Sequence, residues 1–185
     1  MAGVTHPVLT HPLLTPPEFA AVMGRAGWRA PMELINGEVV VIPPTGGDAS
    51  LAQTQLVHRL SAWQDAHAGG GLVLSDVFVR VGDAYLAPDV AWWSAGREPD
   101  IGIGAIGDVP DLVIEVLSPS TRENDLGPKR VQYLAAGVQE LWLVDPADAT
   151  VLGVTPAGDV RLGAGDGLAS SLLPGFSMKV TDIFT

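Results

Sequence analysis

The sequence predicts an α/β (α+β) fold in which a mixed sheet is flanked by helices. Two observations lead there. Strand-like and helix-like segments follow the core order helix, strand, strand, strand, helix, strand, a pattern that favours a sheet covered by helices. The run "PDLVIEVL" at 110–117 is apolar on both strand faces: Val113, Glu115 and Leu117 line one side, and Leu112, Ile114 and Val116 the other. That is the pattern of an interior strand. The chain has 185 residues, 47% hydrophobic and 17% charged, so a single domain over 1–185 with a sizeable core is expected.

The elements can be justified in order. The Pro- and Thr-rich opening, about residues 1–14, reads as a flexible lead-in. "TPPEFAAVMGRAG" reads as a short helix, with Thr15 as N-cap, prolines in its first turn and Glu18 three residues after the cap. "PMELINGEVVVIPP" reads as a hairpin turning at Asn36-Gly37. "DASLAQTQLVHRLSAWQDAHAGGG" is an amphipathic helix with Leu51, Leu56, Leu60 and Trp63 on its apolar face, ended by the triple glycine. "LVLSDVFVRVG" and "YLAPDVAWW" read as two strands joined at Gly82-Asp83. A loop spans about 95–110, before the Glu115 strand. A helix then runs from about Glu123 to Ala136 and is closed by Gly137. "ELWLVDP" is a further strand, and the tail forms one or two hairpins and a short terminal helix.

Composition excludes several classes of function. The absence of cysteine removes disulfides, thiolate metal sites and cysteine nucleophiles, and fits a cytoplasmic protein. No apolar run approaches the ~20 residues that span a bilayer, and the N-terminus does not read as a secretory signal. The formal charge is −11, with ten Lys and Arg. That balance argues against an extensive basic surface for a phosphate backbone.

Chemistry is signalled by three residues. Glu115 interrupts a buried strand, where a carboxylate must be paired, protonated or bound to a metal. Asp89 follows Pro88 at a strand start, near an open end of the sheet. Carboxylates on neighbouring strands can share a hard divalent cation such as magnesium. Lys129, in the early turns of the next helix, can orient water or stabilise transition-state charge. Asp125 lies four residues earlier, so a surface ion pair is the plain structural reading of that lysine.

Other motifs carry less. His6, His11, His58 and His67 show no metal-ligand spacing. Ser118, Ser120 and Thr121 lie in no nucleophile elbow and read as a turn, with Ser120 or Thr121 capping the helix. The glycine string at 102–107 opens no helix after a strand, so it fails as a dinucleotide fingerprint.

"PDLVIEVLSPSTRENDLGPKRVQYLAAGVQELWLVDP", with "APDVAWW" and "MELINGEVVVIPP", closely resembles the Uma-type restriction endonuclease family of the PD-(D/E)XK nuclease superfamily, formerly a domain of unknown function. The resemblance covers roughly residues 30 to 146, and "SLLPGFSMKVTDIF" extends it to the end. It implies a restriction-endonuclease-like core of αβββαβ order, with extra N- and C-terminal hairpins. It also implies Asp89 and Glu115 as magnesium ligands, with manganese as a substitute, and the Val116 carbonyl as a third ligand. The superfamily's lysine, expected two residues after the glutamate, is Leu117 here, and the resemblance moves its role to Lys129. Glu33 and Glu38 fall where accessory acids would lie. A histidine frequent near the start of the first core helix is replaced by Ala49 and Ser50.

The function implied is metal-dependent endonucleolytic hydrolysis of DNA, leaving 5′-phosphate and 3′-hydroxyl ends. The alternative is a catalytically silent fold-mate serving as a nucleic-acid-binding or scaffold module, favoured by the acidic charge and the missing in-strand lysine. A homodimer is expected, since cutting both strands of a duplex takes two sites. Trp92, Trp93 and Trp142 are candidates for its interface, although core packing explains them more simply.

Overall fold

The computed structural model describes residues 13–67 and 70–185. Most of the expected lead-in, with His6 and His11, lies outside these residues. Leu14 is inside them, and its N–H donates to the Gly37 carbonyl at 2.7 Å. Helix α1 (Pro16–Arg25) starts at Thr15, whose N–H and hydroxyl both donate to the Glu18 carboxylate. Strands β1 (Met32–Ile35) and β2 (Glu38–Val41) form the expected hairpin, with Asn36 and Gly37 both at positive φ, as a tight primed turn requires.

Helix α2 (Gly47–Ala66) buries Ala49, Ala52, Leu56, Leu60 and Trp63. Leu51 is not on that face and is 40% exposed. The five-residue step from Leu51 to Leu56 breaks the 3–4 spacing that the alanines keep. The helix ends before the triple glycine, at Ala66. Gly71 is required for a separate reason: at φ +74 a Cβ there would lie 2.0 Å from the Trp93 carbonyl oxygen.

The next stretch holds four strands rather than two: β3 (Leu72–Ser75), β4 (Val79–Val81), β5 (Ala84–Leu86) and β6 (Val90–Trp93). Asp76, at positive φ, and Pro88 break the two longer runs. The β4–β5 hairpin turns at Gly82-Asp83 as expected, but it joins a small sheet of order β2-β1-β5-β4. Then come β7 (Leu112–Val116), α3 (Arg122–Asn124), a π turn (Asp125–Lys129), α4 (Arg130–Ala136) and β8 (Glu140–Asp145). The tail adds β9 (Thr150–Thr155), β10 (Gly158–Leu162), β11 (Gly167–Ala169), β12 (Ser177–Lys179) and a 3-10 turn, Val180–Ile183.

The large sheet has the order β10-β9-β8-β7-β6-β3. Only β7 and β8 run parallel, joined by the α3–α4 crossover. Taken as α2, β3, β6, β7, α3–α4, β8, the centre is the αβββαβ core. One face, with Leu112, Ile114 and Val116, packs on α2 and the tail. The other, with Val113 and Leu117, packs on α4 and the small sheet. Trp92, Trp93 and Trp142 are buried, so they build the core and offer no surface for a partner. The 102–107 segment opens no helix and contributes one isolated bridge, Ile106 to Val79.

Gly71→Ala is expected to cost about 2 kcal/mol or more in urea unfolding, from backbone collision and positive φ. Gly107→Ala, where a Cβ meets nothing within 4 Å, should stay within about 0.5 kcal/mol.

Candidate active site

The site is set by the register of β6 and β7. Val90 pairs with Ile114, so one further step places Asp89 opposite Glu115, on the same face of the sheet. Asp89 Oδ2 accepts a hydrogen bond from the Val116 N–H at 2.6 Å, which fixes the carboxylate at the end of β7. Pro88 starts the strand, and Gln53 of α2 donates to the Asp89 carbonyl.

Lys129 reaches this end of the sheet from the π turn. Its side chain is only 3% exposed, so the surface ion-pair reading fails. Nζ lies 2.8 Å from Glu115 Oε1, 3.0 Å from Glu33 Oε1 and 3.1 Å from Asp125 Oδ1. Two of these carboxylates are anchored a second time. Glu115 Oε1 also accepts from the Tyr133 hydroxyl at 2.7 Å, and Glu33 Oε1 from the Ala87 N–H at 2.8 Å. Pro128 sits inside the turn. It has no N–H to give and its ring crowds the preceding turn, which a π turn relieves.

Asp89, Glu115, Val116 and Lys129 thus converge on one small cleft of about 50 Å³, together with Glu33 and Asp125. Glu38 does not take part: it stands exposed at the start of β2. The helix cap also differs from expectation. Thr121 holds the N-cap position without a side-chain cap bond, and the Ser118 hydroxyl accepts the Thr121 N–H instead. Sequence reasoning missed Tyr133 and underrated Asp125. The signal for both was their spacing around Lys129, four residues to either side. A wider hollow of about 670 Å³ lies by Leu14, Gly37 and Ala136. It holds none of the four carboxylates, so size does not mark the site.

Four carboxylates and one ammonium leave the cleft strongly negative when all are ionised. Burial pushes the Asp89 carboxyl up from 3.8 to about 6, outweighing the Val116 N–H and the Lys129 charge. Burial likewise raises Glu115 well above its ordinary range, with Lys129 opposing. For Lys129, burial alone would favour the neutral amine, but Glu115, Glu33 and Asp125 outweigh it and hold the ammonium firmly protonated. Among the described residues no group of three or more carboxylate or imidazole side chains is arranged to hold an ion unaided. The donor set does fit magnesium, which takes one or two carboxylates and keeps several waters. Asp89 and Glu115 supply hard oxygens at the cleft, with Val116 beside them, and an added dication offsets the surplus charge.

The Asp89 shift has a consequence for stability. Its folded value lies above its ordinary one, so between pH 3.8 and about 6 the folded protein binds more protons than the unfolded chain. Stability therefore falls as pH rises through that window, by up to about 3 kcal/mol. Asp89→Asn should be more stable than the unsubstituted protein at pH 7.5 in chelator, and the gain should shrink towards pH 4, as read by urea unfolding.

The comparisons with known proteins agree with this architecture. Residues 23–181 match the Uma2 family model, described as "Putative restriction endonuclease". A crystal structure of "a putative nuclease belonging to DUF820" from Anabaena variabilis ATCC 29413 superposes with a TM-score of 0.76. It is 22% identical, with 92% of this chain and 97% of that one covered. No curated protein matches the sequence. No described helix is long and apolar enough to cross a membrane. The fold is a restriction-endonuclease-like mixed sheet, and the chain belongs to the Uma2 family of restriction-endonuclease-like proteins.

Proposed function

We propose that this protein is a magnesium-dependent endonuclease that hydrolyses phosphodiester bonds of DNA. The observation that supports this best is the buried Lys129 ammonium, held by Glu33 and Glu115 beside Asp89 at the open end of the central strands. Asp89, Glu115 and the Val116 carbonyl are the proposed metal ligands. When bound, the ion would supply Lewis-acid stabilisation of charge developing on the scissile phosphate.

The protein's own residues divide the remaining work. Glu115 Oε1 is engaged by Tyr133 and Lys129, which fixes the orientation of the carboxylate. Lys129 remains a cation, so it acts by donating hydrogen bonds and positive charge to water or phosphate oxygen. Its position in the helix after the strand gives it the role that Leu117 cannot fill.

The acidic charge favours a second reading, a nuclease fold kept as a binding or scaffold module. Half of the ten cations are already committed: Arg59, Arg97, Arg122 and Arg130 each pair with an aspartate, and Lys129 is buried. Substrate binding then depends on the cleft and its ion more than on a broad basic face.

Plasmid and single-stranded DNA should be cut in magnesium or manganese but not in EDTA, and Glu115→Ala should abolish the cutting. Lys129→Gln should lower the rate by about a hundredfold or more. Manganese binding without cleavage, from folded protein, would favour the scaffold reading.

A further inference from the structure

Asp125 is the one carboxylate around Lys129 that has no second anchor. It is 2% exposed and lines the cleft beside Asp89 and Glu115. Its Oδ1 makes no hydrogen bond and is paired only with the Lys129 ammonium, 3.1 Å away. The contrast with its neighbours is direct. All three carboxylates pair with Lys129, but Glu115 Oε1 also accepts from the Tyr133 hydroxyl and Glu33 Oε1 from the Ala87 N–H. A buried acceptor left without a donor is costly, and most folded proteins avoid it. Because the Asp125 carboxylate lines the cleft, its unused acceptor capacity is available to whatever enters.

Hydrolysis in this cleft needs such an acceptor. The attacking water must lose a proton, and an ammonium offers three donors and no acceptor. Lys129 can therefore hold the water but cannot take its proton. The π turn brings both groups to the same side: Asp125 opens it and Lys129 closes it.

We propose that the Asp125 carboxylate orients the attacking water and accepts its proton, while Lys129 donates to the water oxygen or to the phosphate. This role presupposes the phosphodiester hydrolysis proposed above. The water oxygen bonds to phosphorus as one O–H bond breaks, its proton passing to the Asp125 carboxylate. The bond from phosphorus to the 3′ oxygen breaks with its electron pair on that oxygen, which takes a proton from a solvent water. The hydroxide left behind recovers the proton from Asp125, and the carboxylate is restored.

The test compares the unsubstituted chain with Asp125→Asn and Asp125→Ala on a labelled DNA oligonucleotide, with manganese affinity measured by calorimetry. Asp125→Asn should bind manganese within about threefold of the unsubstituted chain and keep its KM. Its kcat should fall about a hundredfold or more, and the remaining rate should climb with pH as hydroxide replaces water. Added formate should restore part of the rate to Asp125→Ala, an effect that a purely structural role would not produce. A kcat within tenfold of the unsubstituted value overturns the role, as does an Ala variant that formate leaves unchanged. Loss of manganese affinity by tenfold or more in Asp125→Asn also overturns it, assigning Asp125 to the ion instead. An unsubstituted chain that binds manganese yet cuts no DNA removes the nuclease reading itself and this role with it. An active chain with an equally active Asn variant removes the role of Asp125 alone.

Discussion

Lys129 stands where three carboxylates meet, two of them from other elements of the fold, and burying it sets conditions on everything nearby. Glu33 comes from the small sheet, Glu115 from the middle of the large one, and Asp125 from the same turn as the lysine. Removing an ammonium and several carboxylates from water costs several kcal/mol per ion, offset only when the partners are held in place. The anchors follow from that requirement. Tyr133 fixes Glu115, and the Ala87 N–H fixes Glu33. The small sheet is thereby tied to the core by charge as well as by the apolar contacts of Ile35, Val79 and Leu86.

The same cluster sets stability against reactivity. A carboxylate kept half-buried, with a protonation point moved towards neutrality, is a poor structural element. Here Asp89 lies at a strand end, bonded to one backbone N–H and facing other acids. The arrangement is easier to understand as a site awaiting positive charge than as a device for holding the fold. On the opposite face, α2 packs on the sheet through Leu56, Leu60 and Trp63, with no part in the charged cluster.

Much of this was legible in the sequence because it rests on simple alternation. The two faces of "LVIEV" and the misplaced charge of Glu115 follow from period-two geometry alone, and Asn36-Gly37 and Gly137 mark their turns unaided. Lys129 was legible as a candidate, but its burial was not, because an i,i+4 pair reads the same on a surface as in a cleft. The small sheet was hidden because the breaks at Asp76 and Pro88 are single residues inside otherwise continuous strand patterns. Glu33 and Glu38 were indistinguishable by pattern. Both lie on one face of the hairpin, since Ile35 pairs with Glu38; Glu38 stands exposed beside the turn, and Glu33, further along, reaches the cleft. Tyr133 gave no signal beyond spacing, since a buried tyrosine in a helix is ordinarily core.

The π turn has a consequence for the phase of the whole crossover. A π turn amounts to one extra residue wound into an α-helix, and one residue corresponds to about 100° of rotation. Arg122, before the turn, faces Asp145 at the end of β8, whereas Tyr133, after it, faces Glu115 on β7. Without the inserted residue, the two ends of the crossover would be turned about 100° relative to one another. The inserted residue lets a single crossover address two adjacent parallel strands, β7 and β8, with its two ends out of step. Asp125 and Lys129 are carried on the segment where the phase changes.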